Sequence, residues 1–211
     1  MTENASRLTG MKLDAVALSR GARRLVAEVN LNLSAGELVS VTGANGVGKT
    51  SLIRAIAGLI VPDRGEINFL SGAGVLDPET VRAEQIHLLA HQDGLKSART
   101  VRQELGFWSR WFGGTTGLET AVDALSLKAL LDLDVRKLSA GQRRRLALAR
   151  LIAAPRRLWL LDEPMAPLDT SSRDQLAAIM DRHLKEGGMI VAAVHDALPL
   201  AGQTLQLGRA S

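Results

Sequence analysis

The chain is 211 residues long, 46% hydrophobic and 23% charged, which suits one domain, or one domain with a small lobe attached, and argues against a disordered chain. It contains no cysteine, so neither a disulfide framework nor a thiolate metal site is possible, and no apolar run approaches the ~18 residues a bilayer crossing needs. A formal charge of +4 permits contact with nucleic acid or anionic lipid without selecting either.

In chain order, Met1 to Arg7 hold an acid and no apolar stretch, so no secretory leader is expected there. Ala27, Val29, Leu31 and Leu33 alternate with Glu28, Asn30 and Asn32, the pattern of a half-buried strand. Ala35 and Gly36 make a turn, and Leu38 to Thr42 reads as a buried strand. A glycine-rich loop follows, then a helix through Leu52, Ile53, Ile56 and Leu59 that stops near Pro62. Ile67 and Phe69 mark another strand, and Ile86 to Ala90 one more. Between Gln92 and Leu138 the pattern changes to helix and loop. Thr100 and Gln103 form a capping box, Gly113 to Gly117 break the chain, and Leu118, Ala121, Val122 and Leu125 have helical spacing. A helix to about Ile152, a strand at Leu158 to Leu161, a helix stopped by Gly187 and Gly188, and a strand at Met189 to Val194 complete the series. Alternating strands and helices predict an α/β domain with a helical insertion.

Gly43, Ala44, Asn45, Gly46, Val47, Gly48, Lys49 and Thr50 spell GxxxxGK[ST] between an expected strand and an expected helix, the context this phosphate-binding motif requires. Glycines let backbone N–H groups face phosphate oxygens, and the helix amino end, with Ser51 in its first turn, adds a favourable dipole. Lys49 would reach the β- and γ-phosphates of ATP, and the Thr50 hydroxyl would bind Mg²⁺. Farther on, the apolar run from Leu158 ends in Asp162 and Glu163. A buried strand avoids terminal charge unless the charge has a partner. Asp162 suits Mg²⁺, and Glu163 suits a general base that polarises the attacking water.

Leu138-Ser-Ala-Gly-Gln142 resembles the signature of ATP-binding cassette proteins and stands where that family has it, shortly before the acidic strand. Ser139 can cap the next helix, and its hydroxyl with the Gly141 N–H offers donors to a γ-phosphate. The resemblance extends from about Met11 to Leu207. It implies a P-loop ATPase core with a mixed sheet, an N-terminal antiparallel β region and an inserted α-helical subdomain. The expected lobes are a core of about residues 1–92 and 151–211 and a helical lobe of about residues 93–150. It further implies that Gln92 is the Q-loop residue, acting in catalysis and on Mg²⁺, that Asp169 belongs to the D-loop, and that His195 is the switch histidine. Ser139, Ala140, Gly141 and Gln142 would act in trans on the ATP of a second nucleotide-binding domain, paired head to tail as a homodimer.

This chain departs from the family pattern in places. The family stacks adenine on an aromatic residue before its second strand, whereas Ser19 to Arg24 contain none and the chain has no tyrosine. Arg23 is the candidate for a cation–π substitute. Ala140 stands where glycine is commoner, and Pro167 is unusual in the D-loop.

The segments His91 to Lys96, Leu105 to Trp108, Leu138 to Gln142 and Arg157 to Pro164 look like the cytochrome c maturation cassette ATPases. That likeness implies a peripheral subunit on the cytoplasmic face of a bacterial inner membrane. It would be bound to integral permease subunits and would power haem export or release of a haem-loaded chaperone. Haem itself would be handled by the partners, since His87 and His91 flank a strand end and read as structural. Phe107, Trp108, Trp111 and Phe112 make a helical aromatic stripe with two readings, lobe core or a groove for a membrane partner's helix. A competing class is a soluble cassette ATPase on nucleic acid or ribosomes. The basic pI of about 9.9 and the run Arg143, Arg144 and Arg145 fit it superficially, but such a run is usually a solvated or interdomain face. The tandem cassettes, coiled coils and zinc modules of those proteins are not seen, so no direct nucleic-acid contact is expected.

Overall fold

Two long strands, β1 (Gly10–Arg20) and β2 (Arg23–Ser34), pair antiparallel from Arg20↔Arg23 to Gly10↔Ser34 in the computed structural model, which describes residues 5–111, 117–196 and 198–208. β1 also pairs antiparallel with β4 (Arg64–Ser71), and β4 with the short β5 (Gly74–Leu76), so this sheet runs β2-β1-β4-β5. Val29, Leu31 and Leu33 point inward as their alternation requires, but Ala27 is exposed and Val26 buried. Glu28 has φ +50° beside a register shift. The extra residue of that bulge reverses which face each side chain takes. A second irregularity, at Ala15 with φ +46°, breaks the period of β1 and hides it from a reading of alternation.

The second sheet is parallel throughout, ordered β6 (Ile86–Leu89), β7 (Leu158–Asp162), β8 (Met189–Ala193), β3 (Leu38–Thr42) and β9 (Gln203–Gln206). The expected mixture of parallel and antiparallel pairing is thus realised as two sheets, each of one kind. Every residue of β7 and β8 is buried, as an apolar run covered on both faces should be. Side chains alternate between two cores. Val39, Leu158, Leu160 and Val191 join β1, β2, β4 and α1 (Lys49–Ile56) on one face. Leu38, Trp159, Leu161 and Ile190 join α5 (Ala140–Ala153) and α6 (Thr170–Lys185) on the other. That second core continues through α5 into α3 (Val101–Trp111) and α4 (Leu118–Ala124). Helix α2 (Pro78–Glu84) precedes β6 and is capped by Asp77.

Helix α1 ends earlier than its apolar spacing suggests. The N–H of Gly58 bonds Ala55 O and that of Leu59 bonds Arg54 O, with Gly58 at φ +77°. These paired bonds close the helix at Ala57, and Leu59, expected on its buried face, is 66% exposed. Thr100 and Gln103 do form the expected reciprocal cap of α3. Two core histidines sit by the parallel sheet. His87 on β6 makes a 2.6 Å hydrogen bond to Ala154 O, and burial pushes its pKa down to about 3. His183 on α6 stacks on Trp159 with ring centres 3.7 Å apart, and burial pushes its pKa down to about 4.

Candidate active site

All five parallel strands point the same way, so the loops after β3, β6, β7 and β8 emerge at one edge of the sheet, where α/β ligand sites form. The loop after β3 is the glycine-rich segment. Gly43 and Gly48 have φ of +138° and +118°. A Cβ on Gly43 would lie 2.5 Å from Leu207 O, and one on Gly48 would lie 2.6 Å from a Val26 methyl. Only glycine permits both the backbone twist and the close approach. Lys49 is 7% exposed, and its ammonium donates to Gly43 O at 2.7 Å, back across the loop. An ammonium has further N–H donors, so this bond orients Lys49 and leaves it able to hold an anion. Helix α1 has no side-chain cap, so its first N–H groups are likewise available to an anion.

The Thr50 hydroxyl donates to both Asp162 carboxylate oxygens at 3.0 and 3.1 Å. Asp162 is 3% exposed, and among the described residues no Lys or Arg side chain forms an ion pair with it. A buried carboxylate answered by a hydroxyl calls for a cation, and hard oxygen donors suit Mg²⁺. Glu163 follows with φ +50°, a left-handed conformation that costs a non-glycine residue energy. Its N–H bonds Ala193 O at 2.9 Å, and its Oε1 lies 3.5 Å from Nε2 of His195, which leaves the end of β8.

Asn45, Gly46, Gly48, Lys49, Thr50, Ser51, Asp162, Glu163 and His195 line one cleft of about 450 Å³. Gly43, Ala44 and Val47 complete the loop, and Val47 turns its side chain into the core. Arg20 and Arg23 from the β1–β2 hairpin and Arg54 from α1 add positive charge to the wall. Gln92 is exposed on the loop after β6 and is not among the lining residues; its neighbour His91 is. His87 and His91, four apart in sequence, therefore part company, one in the core and one at the cleft.

The signature lies elsewhere. Ser139 and Gln142 form a full capping box on α5, with the Gln142 N–H on Ser139 Oγ at 3.2 Å and the Ser139 N–H on Gln142 Oε1 at 2.8 Å. Ser139 and Ala140 are exposed. Ala140 borders a separate recess of about 290 Å³ with Asp93, Arg144, Glu163 and Pro167, and Gly141 packs beside Pro167. Asp169 caps α6 by accepting the Ser172 N–H at 2.8 Å. Hydrogen bonds from the Ser172 hydroxyl and N–H hold its carboxyl below the ordinary value.

The arginine run is not a solvated face. Arg143 donates to Leu138 O and Arg145 to Leu125 O, while Arg144 is 2% exposed. Arg144 donates to the carbonyls of Ala90, Asp162, Glu163 and Pro164 and to the Asp93 carboxylate. Helical spacing carries the signal that charge alone conceals. Arg144 shares a stripe with Leu148 and Leu151, both buried. With its guanidiniums spent on main-chain carbonyls, the run loses its value as a nucleic-acid feature.

On α3 the aromatic residues divide. Trp108 donates its indole N–H to Glu104 at 2.8 Å and lies under the Arg150 guanidinium at 4.7 Å. Phe107 stacks on Trp111 with centroids 6.0 Å apart and holds Arg99 over its ring at 4.2 Å. Trp111 is 71% exposed. Phe112 lies outside the described residues.

Comparison with known proteins accords with this geometry. Residues 26–166 match the family model described as ABC transporter. The chain is 43% identical over 206 residues to the cytochrome c biogenesis ATP-binding export protein CcmA of Nitrobacter winogradskyi, covering 97% of this chain and 100% of that protein. Among solved structures, it is similar to a putative ABC transporter ATP-binding protein from Pyrococcus furiosus. The TM-score is 0.81 at 21% identity, over 94% of this chain and 98% of that one. It is also similar to the ATP-binding cassette MJ0796, a dimer bound to ADP and Pi, with TM-score 0.74 at 24% identity over 88% of each chain.

Proposed function

The chain belongs to the ABC transporter family and is an ATPase of that family, and on that premise we propose that it powers an export step in c-type cytochrome biogenesis. The observation that carries the reading is the convergence in one cleft of Lys49, the Thr50–Asp162 pair and the Glu163–His195 pair. Lys49 and the N–H groups of the loop and α1 hold the phosphates. Thr50 and Asp162 would hold Mg²⁺, with Gln92 as a further oxygen donor from the neighbouring loop, and the ion would supply positive charge against the β- and γ-phosphates. Glu163 takes a proton from water, the water oxygen bonds to the γ-phosphorus, and the bond to the β–γ bridging oxygen breaks to leave ADP. His195 steadies the Glu163 carboxylate and the γ-phosphate side of the cleft.

Ser139 and Ala140 are exposed and are not among the residues that line this chain's own phosphate cleft, which supports a role in trans, with two copies paired head to tail and Asp169 near their contact. A dimeric structure is known for MJ0796. Among the described residues no helix is long and apolar enough to cross a membrane, so export requires integral membrane partners. The chain would attach to them from the cytoplasmic side, and they would handle haem.

Glu163→Gln tests the reading directly. The full chain should keep its affinity for ATP while hydrolysis slows by about 10²-fold or more, the scale of a lost general base. Hydrolysis at the wild-type rate would sink the assignment of the base. The membrane role predicts co-sedimentation with membranes only when the neighbouring membrane-protein genes are co-expressed.

A further inference from the structure

We propose that Arg144 is a positioning residue for hydrolysis, fixing the backbone of Glu163 from the helix that carries the signature; the inference rests on the assignment of Glu163 as base. Its Nη2 donates to Asp162 O at 2.7 Å and to Glu163 O at 2.8 Å. Those carbonyls belong to the two peptide planes on either side of the Glu163 Cα. Holding both planes sets the φ and ψ of Glu163, and φ there is +50°, a conformation the chain does not keep unaided. The Glu163 N–H on Ala193 O anchors the same residue from β8.

The other side of the guanidinium reaches the loop after β6. Nη1 donates to Ala90 O at 3.0 Å and to Asp93 Oδ1 at 2.9 Å, and Nε to Pro164 O at 3.4 Å. One side chain on α5 thus binds the strand ends that carry Glu163, His91 and Gln92. Arginine suits this because its planar fork serves several acceptors in fixed directions, while lysine is a point donor. Desolvation of a guanidinium at 2% exposure is offset by one carboxylate and four carbonyls. The arrangement makes the direction of the Glu163 carboxylate depend on where α5 sits. Movement of the signature helix against the partner's nucleotide would therefore be felt at this chain's own base.

The test is steady-state ATP hydrolysis by the full chain as wild type, Arg144→Lys, Glu163→Gln and the double variant. Affinity for a fluorescent ATP analogue and the melting temperature are measured alongside. Arg144→Lys is expected to bind the analogue as wild type does and to lower kcat by about tenfold or more, toward the ~10² that misplacing a catalytic group costs. Because Arg144 acts through Glu163, the double variant should be no slower than Glu163→Gln alone, a non-additivity that general destabilisation would not produce. Losses that multiply, or an unchanged kcat in a folded Arg144→Lys, would overturn the inference and leave the base assignment standing. A wild-type rate in Glu163→Gln would instead remove the base assignment and this inference with it. Should Arg144→Lys fail to fold, Asp93→Asn removes only the ionic partner, at a side chain 22% exposed. A kcat lowered by about threefold at unchanged affinity, the scale of weakening one charge-assisted hydrogen bond, supports the inference, and an unchanged kcat overturns it.

Discussion

The cleft edge of the parallel sheet and the outer face of α3 use side chains in opposite ways. At the cleft, polar groups are drawn into the structure and given partners. Lys49 bonds its own loop, Asp162 takes a hydroxyl, and Arg144 clamps strand ends. On α3, apolar groups are left out, with Trp111 mostly exposed and Phe107 half-buried beneath Arg99. Burying a charge is tolerated only where its partners fix its geometry, so the cleft is rigid and specific. Leaving an aromatic ring in water is tolerated where a partner can cover it. The first region suits chemistry and the second suits contact.

The largest effect should come from breaking the cleft's phosphate loop in one subunit and the signature at the start of α5 in the other. Lys49→Ala removes the phosphate cation and should weaken nucleotide binding, and Ser139→Arg blocks the signature on the helical side. Either variant alone should lose nearly all hydrolysis, since a two-fold pair carries the same defect twice. Mixing them should restore part of the activity, because mixed pairs hold one site built from two unaltered halves. Full activity in either variant alone would break the head-to-tail arrangement.

Within α3 the contrast narrows to two tryptophans. Trp108→Ala removes an indole bonded to Glu104, which is itself 0% exposed, and should cost about 2–3 kcal/mol, below the 3–5 kcal/mol of a fully buried tryptophan. Trp111→Ala should stay within about 0.5 kcal/mol of wild type in urea unfolding, as surface changes do, yet reduce co-sedimentation with membranes. Equal loss of stability in both would erase the division between core and contact face.

Acid should act on the two histidines packed by the parallel sheet. His87 and His183 lose water on burial and have pKa values pushed down to about 3 and about 4. The unfolded chain takes up protons near pH 6.5 and the folded chain resists them until lower pH, so stability is full above about pH 6.5 and falls on acidification. At pH 5 each buried histidine should lower stability by at most ~2 kcal/mol. His87→Gln should flatten the fall in urea midpoint between pH 7 and 5, and an undiminished fall would remove the buried imidazole as its cause. The smallest effect is expected at the base end of the cleft. Arg23→Ala should weaken ATP binding by about two- to fivefold, the ~0.5–1 kcal/mol of an exposed cation–π contact, with GTP affected to a similar degree. An unchanged ATP affinity would remove Arg23 from the site.

Much of this molecule could be read from contiguous residues. GxxxxGK[ST] needs a strand before it and a helix after it, and both are where the apolar pattern puts them. The run from Leu158 into Asp162 and Glu163 announced a buried strand with two acids at its end that need partners, because a covered parallel strand has no alternation to disguise it. Ser139 and Gln142 spelled their own cap. Other features depend on residues far apart in the chain. The bulges at Ala15 and Glu28 reverse the faces of β1 and β2, and the local pattern carries no mark of an inserted residue. His91 reaches the cleft because β6 ends beside β7, a neighbour 72 positions away in the paired register of His87 and Trp159. Arg144 sits among charges in sequence and among carbonyls in space. A row of cations reads as solvent-facing until the strand ends that need those donors are brought against it, and only the tertiary fold does that.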